Sequence, residues 1–272
     1  MEEQRKVILT GSIIIIFVAL VIVVYYFFFR ERAKEALPVQ EVVGEQPVQV
    51  PEEKFAINEE VPEPIDIELD KSDEFVREQA ATLSSHPMLT IWLGSQELIR
   101  KFVAAVDNIA NGLSPRPQID FFSPKGEFKV KRRGYQYYAN PSGYKRYDPV
   151  ADVLASLDSQ ECVKLYRQLK PAIQDAYWEL GYPDEDFDFV LREALVELLR
   201  IPVIEEELRL KREIASFAIA DPRLENLSQA QKHLLRMGPE NVQKIQNKLR
   251  EIAEMLGIPS DQLPRPRTYS PK

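Results

Sequence analysis

One cysteine, two histidines and two tryptophans in 272 residues leave little material for several kinds of chemistry. A lone Cys162 can form no disulfide within the chain, so any domain must be held by its own apolar core. The thiol sits among Val163, Leu165 and Tyr166 with no histidine near it in sequence, which points to a packed side chain rather than a nucleophile. His86 and His233 lie far apart and do not make a zinc-ligand spacing. The chain has no phosphate-cradling glycine loop and no nucleophile elbow. Asp184, Asp186 and Asp188 imitate the first ligands of a calcium loop. However, Phe189 stands where that loop needs glycine and Leu195 where it needs a bidentate glutamate, so acids at a helix start are expected instead. No metal, cofactor or catalytic residue is implied by these patterns.

What the chain does contain is an uncharged apolar run at residues 7–29, VILTGSIIIIFVALVIVVYYFFF, opening at Val7 and closing at Phe29. At about 1.5 Å per residue a helix of this length covers a hydrocarbon core of roughly 30 Å. The run is too long for a cleaved signal peptide and is followed by Arg30, Glu31 and Arg32 rather than small residues. With Tyr25, Tyr26 and Phe27 ahead of them, these residues resemble the interfacial belt of a retained anchor. The expected partner of this segment is the lipid bilayer. Basic residues flank it on both sides, so charge alone leaves the orientation open. The short N-terminal tail favours an exported C-terminal bulk.

The formal net charge of -8 is concentrated in one place. Residues 35–70 carry eleven acids against Lys54 alone, whereas residues 71–272 hold 29 charges of each sign. Five prolines and few aromatics in that acidic stretch predict a disordered tether that cannot bury enough surface to order itself. Fully stretched, it spans on the order of 110 Å at about 3.1 Å per residue.

Beyond the tether, periodicity predicts a mainly α-helical domain over residues 71–258 and a loose proline-rich tail at 259–272. Ser72 is the expected cap of a first helix, with Asp73 and Glu74 in its opening turn. A second helix is expected from Ser95 to Ala110, with Leu98, Phe102, Val106 and Ile109 on one face. Further helices are expected over 159–180, kinked or divided at Pro171, and over 186–200. Residues 203–219 show both periods and are read as weakly helical. Ser228 and Gln231 form a capping box. Pro239 opens a last helix carrying Val242, Ile245, Leu249, Ile252 and Leu256, closed by Gly257 with Ile258 in a Schellman cap.

Residues 125–148, KGEFKVKRRGYQYYANPSGYKRYD, interleave seven basic residues with five tyrosines. Phe128, Val130 and Arg132 share one parity and Lys129, Lys131 and Arg133 the other, which predicts a small β-ribbon with one basic face. Such a face suits a glycan or nucleic-acid surface, but a hairpin whose tyrosines pack on the helices while its lysines keep it soluble is the favoured reading. Asp221 and Glu225, in DPRLE, are either paired carboxylates or ordinary helix-start acids. LLRMGPENVQKI, residues 234–245, resembles the second half of a helix-hairpin-helix, with Arg236 where that family usually has glycine. The neutral charge balance of the domain argues against nucleic acid as its partner.

GYKRYD, ELGYP and ADPRLENLSQAQKHLLRMGPENVQKIQNKLR, together with the anchor and tether, resemble an uncharacterised bacterial family of single-span membrane proteins, the domain of unknown function 3014 type. The resemblance implies a Gram-negative envelope protein of the inner membrane with no assigned activity, and the orientation read from the short N-terminal tail places its domain in the periplasm. The best-matching positions are Tyr144, Arg146, Tyr147, Asp148, Asp221, Glu225, Arg236, Gly238 and Asn241, which form either a shared surface or a shared core network. The expected function is a membrane-tethered binding or scaffold module of the cell envelope, with Arg132, Arg133 and those positions as candidate contacts to an envelope protein or glycan. An envelope hydrolase and a DNA-binding module are the alternatives.

Overall fold

The computed structural model describes residues 62–119, 128–214 and 216–269. The apolar run, most of the acidic tether and Lys125 lie outside these residues. Among the described residues no helix is long and apolar enough to cross a membrane. In chain order the described elements are α1 (Ser72–Ala81), α2 (Pro87–Leu93), α3 (Leu98–Ala110), β1 (Val130–Arg133), β2 (Gln136–Ala139), α4 (Asp148–Ser156), α5 (Ser159–Glu179) and α6 (Phe187–Leu199). They continue with β3 (Arg209–Arg212), β4 (Phe217–Ile219), α7 (Pro222–Glu225), α8 (Gln229–Leu235) and α9 (Pro239–Met255).

The helical part of the domain closes around Tyr177, Phe187 and Val103, where α1, α3, α5 and α6 meet. The Tyr177 and Phe187 rings stand edge to face with centroids 5.5 Å apart, and burying an aromatic of this size contributes about 1.5–3 kcal/mol. The face of α3 that enters this core is Ile99, Val103 and Val106, whereas Phe102, expected on the buried face, is 40% exposed at its edge. α5 runs unbroken through Pro171, because Leu169, Ala172, Ile173 and Ala176 on either side of the ring are buried and hold the turn in register.

Two short helices have no signal in the hydrophobic period. α2 begins at Pro87 behind His86, whose Nδ1 accepts from the Met88 amide at 3.2 Å, and α4 begins at Asp148–Pro149. The expected cap at Ser72 is also replaced. Its hydroxyl donates to the Leu69 carbonyl and closes a preceding 3-10 turn, Leu69–Lys71. Asp73 does not serve its own helix alone, since its two carboxylate oxygens accept from the amides of Glu97 at 2.7 Å and Leu98 at 2.8 Å. Glu97 holds a left-handed φ of 56°, unusual for a side-chain-bearing residue, and has no cap of its own. A carboxylate from α1 therefore satisfies the start of α3.

The second part of the domain is a four-stranded antiparallel sheet of order β1-β2-β3-β4, larger than the expected ribbon. Residues 203–219, read as weakly helical, supply β3 and β4. The alternation of Leu208 and Leu210 prevails because both side chains enter the sheet core with Ala139, Ile219, Leu234, Leu235, Val242 and Ile245. α9 carries the expected apolar face and ends in the expected Schellman cap, with the Ile258 amide on the Ala253 carbonyl and that of Gly257 on Glu254. The tail, expected loose, is held through residue 269. Leu263 is 3% exposed, and the Tyr269 and Val203 amides bond the Val203 and Arg267 carbonyls in a parallel bridge.

Asp73→Ala is expected to cost about 1–2 kcal/mol, the range of a lost helix cap, measured by urea unfolding of the full chain. An unchanged midpoint would mean that α3 does not depend on this carboxylate.

Candidate functional site

Strand register decides which basic side chains share a surface. Val130 pairs with Ala139 and Arg132 with Tyr137 on the core side, whereas Lys131 pairs with Tyr138, which in turn pairs with Arg209 of β3, on the outer side. Lys211 lies opposite Ala218 on that same side. The outer face thus carries Lys129, Lys131, Arg133, Arg209 and Lys211 around Tyr138. The carboxylate reaching them is Glu207, which pairs with Lys131 and, at 2.9 Å, with Arg133. Those two cations hold the Glu207 carboxyl below the usual glutamate range against a smaller effect of burial. The Arg133 guanidinium lies 5.7 Å over the Tyr138 ring. No carboxylate among the described residues pairs with Arg209 or Lys211, and both are exposed.

Arg132 and Arg133 are therefore not equivalent. Arg132 has the core-side parity and turns back to the hairpin, where its Nε donates to the Gly134 carbonyl at 2.7 Å and its guanidinium lies 5.9 Å from the Tyr137 ring centre. Arg146 lies away from the outer face. It is half-buried, stacked 4.7 Å over Tyr147 and 5.7 Å from Phe128, and donates to the Tyr147 hydroxyl.

Tyr144, Asp148 and Asn241 converge with Gly238 at the start of α9. The Asn241 side chain, 2% exposed, donates from Nδ2 toward Asp148 Oδ1 at 3.0 Å and the Met237 and Tyr144 carbonyls at 3.0 and 3.3 Å. Gly238 has a φ of +87°, and a Cβ there would sit 2.5 Å from the Tyr144 ring. Only glycine allows that ring so close to the backbone. Burial, with the Glu207 charge as a smaller cause, pushes the Tyr144 hydroxyl up to about 12. The Gly238 of the Gly-Pro turn thus carries the Tyr144 ring against its Cα.

Asp221 and Glu225 flank α7 as structural acids. Asp221 Oδ1 accepts from the Arg223 amide, its other oxygen takes Arg223 Nη2 at 2.9 Å and the Tyr269 hydroxyl, and these partners hold its carboxyl well below the usual range. For Glu225, burial raises the carboxyl, but the Lys232 ammonium and the Ile219 amide outweigh it and the net displacement is downward. A general acid needs the opposite displacement. A groove of about 380 Å³ lined by residues of α5, α6 and the end of α9, including Tyr166, Lys170, Phe189, Leu191 and Leu256, contains neither carboxylate. Asp186 caps α6 and pairs with Lys170 at 2.7 Å, in the helix-start role expected of it. Among the described residues no group of His, Cys, Asp and Glu side chains is placed to hold a metal ion.

The family model for a protein of unknown function, DUF3014, matches residues 98–253, more than half of the chain. The chain belongs to this family. The match opens at the first residue of α3 and closes in the last turn of α9, so the DUF3014 stretch contains the whole sheet and the Asn241 junction, and leaves out α1 and α2. No curated protein and no solved structure gives a significant match.

Of the positions that resemble the DUF3014 pattern best, Tyr144, Asp148, Gly238 and Asn241 form one core junction. Arg236 lies close enough for its charge to act on both Glu225 and His233. The residues missed in sequence are Arg209 and Lys211, whose signal was the two-residue alternation of Leu208 and Leu210. His233, considered in sequence only as a zinc ligand, lies beside Ser114 Oγ at 3.2 Å. Burial first, then the positive charges of Arg116, Arg236 and Arg146, lower its basicity from the ordinary 6.5.

Gly238→Ala is expected to cost about 2–4 kcal/mol, from the backbone conformation and the ring overlap together. In denaturant unfolding, Gly238→Ala with Tyr144→Ala should cost less than the two separate losses; simple additivity would exclude the ring contact as the cause. The folded His233 binds a proton less readily than the unfolded one, so its contribution to stability is complete above its ordinary value and is lost as the pH falls through that value toward the lowered one. Urea midpoints of the wild type should drop between pH 7.5 and 5.5, in a range taken from the ordinary histidine value, with His233→Gln reducing the drop. Identical pH profiles would remove His233 from the explanation.

Proposed function

We propose that this DUF3014 protein is a membrane-tethered, non-enzymatic binding module of the bacterial envelope, anchored by residues 7–29. Its basic outer sheet face meets an acidic envelope partner. The observation that carries the reading is the register that gathers Lys129, Lys131, Arg133, Arg209 and Lys211 on one side around Tyr138, against Glu207. Two of those cations, Arg209 and Lys211, are exposed and without a carboxylate partner among the described residues. A phenol ring between fixed cations suits contact with a polar, negatively charged surface, where charge supplies attraction and stacking supplies area.

The apolar run and the acidic tether support the localisation: a single pass through the inner membrane, with the domain carried beyond a charged, proline-rich linker on the periplasmic side. The low carboxyls of Asp221 and Glu225 favour binding over hydrolysis. The tyrosine seated on Gly238 disfavours a phosphate contact at that turn.

The test is fluorescence anisotropy of a labelled polyglutamate peptide titrated with the full chain in neutral-lipid nanodiscs. Arg209→Glu with Lys211→Glu should weaken binding on the order of tenfold or more at low salt, the change expected when two exposed attractions become repulsions. The circular dichroism spectrum should stay the same. Equal binding by the variant would remove this face from the function.

A further inference from the structure

Every strand pair in the sheet is antiparallel and the order is sequential, so the β1–β2 and β3–β4 turns emerge from the same end. Each turn presents one large apolar side chain to solvent. Tyr135 is 94% exposed and Ile214 is fully exposed. Both turns are braced. In the first, Gly134 takes a φ of 59° and its carbonyl accepts the Arg132 Nε. In the second, the Glu213 amide donates to the Ser216 carbonyl at 3.0 Å. Exposed Arg132, Lys211 and Arg212 stand beside the two tips. The acid at the tips is Glu213, which accepts from Ser216 Oγ at 3.1 Å.

We propose that the two hairpin tips dock onto an anionic bilayer surface, with Tyr135 and Ile214 entering the headgroup layer and the surrounding arginines and lysines meeting lipid phosphates. The inference rests on the reading of the outer sheet as the binding surface and names the class of its partner. A single exposed apolar residue is ordinary on a protein surface, but two at one end of one sheet, with exposed Arg132, Lys211 and Arg212 beside them, form a repeated device. Two protruding tips offer far less than the roughly 1,000 Å² that a specific protein partner requires. A bilayer receives protruding side chains without a matching pocket. Tyrosine favours the interface, isoleucine the acyl boundary, and cations the anionic headgroups. The anchor proposed at residues 7–29 would put the domain and a membrane on one chain, so that weak docking suffices to populate the bound state.

The experiment places a polarity-sensitive dye on Ser216→Cys in the full chain, reconstituted in vesicles of phosphatidylcholine alone or with phosphatidylglycerol. Cys162 is half-buried, and its thiol is pushed up to about 11 by burial, so labelling at neutral pH selects the tip. With phosphatidylglycerol the emission should shift to the blue, be quenched by brominated lipid, and return toward the aqueous value at high salt. Ile214→Ser should lower the docked-to-free ratio on the order of tenfold, the effect of withdrawing one isoleucine from an apolar phase.

Aqueous emission in both vesicles overturns the proposal, and an equal shift in phosphatidylcholine alone overturns the anionic lipid as its partner. The polyglutamate titration separates the two levels. Aqueous tips with polyglutamate binding that still depends on Arg209 and Lys211 refute lipid docking and leave the basic-face reading intact, whereas loss of both removes both.

Discussion

The close seat of the Tyr144 ring on Gly238 sets where α9 begins, and much of the domain takes its position from α9. That helix packs on α4, α5 and α6, sends Val242 and Ile245 into the sheet core, and presents Ala253 and Leu249 to α6. Midway along it, the buried Gln246 side chain donates to the carbonyls of Leu198 and Ile201, satisfying groups left open where α6 ends. Asn241 ties the same first turn to the start of α4 through Asp148. A side chain at position 238 has no room without displacing the ring, and displacing the ring moves the 3-10 turn Pro141–Tyr147 that joins the sheet to α4. Gly238, in the motif that resembles half a DNA-binding hairpin, is thus packed against the protein's own Tyr144 ring.

Charge is handled differently in the interior and on the surface. Near the core, acids are committed to fixed duties: Asp73 to the amides of α3, Asp221 to Arg223 and Tyr269, and Glu225 to Lys232 and the Ile219 amide. For Asp221 and Glu225 these partners stabilise the charged carboxylate, which suits a structural acid and leaves little capacity for proton transfer at neutral pH. On the outer sheet one glutamate, Glu207, ties down two of five cations and leaves the others facing solvent. The domain balance is close to neutral, yet the fold concentrates positive charge on one face of one sheet. A net-charge count over the domain averages this asymmetry away.

Long elements were legible in the sequence wherever the apolar period ran for several turns, as in α5, α6 and α9, and wherever local chemistry is self-contained, as in the Ser228–Gln231 capping box and the Gly257 Schellman cap. Short elements were not. α2 and α4 have too few residues to display a period and are held by neighbours. Residues 203–219 carried both periods, and the deciding contribution was burial of Leu208 and Leu210 against α8 and α9, a non-local effect. The tail looked unstructured from its prolines, yet Leu263 and Tyr269 find partners on α6, α9 and Asp221.

By itself the sequence determined the mainly helical character of the domain, the single basic parity of β1 and the family to which the chain belongs. These depend on local periodicity, capping chemistry and a motif pattern, all of which are written in neighbouring residues. Only the tertiary structure decided that Arg209 and Lys211 join Lys131 and Arg133, that Arg146 does not, and that Tyr144, Asp148 and Asn241 form a core junction rather than a surface. Strand pairing between segments some seventy residues apart and the fit of one ring on one glycine arise only when the chain is folded.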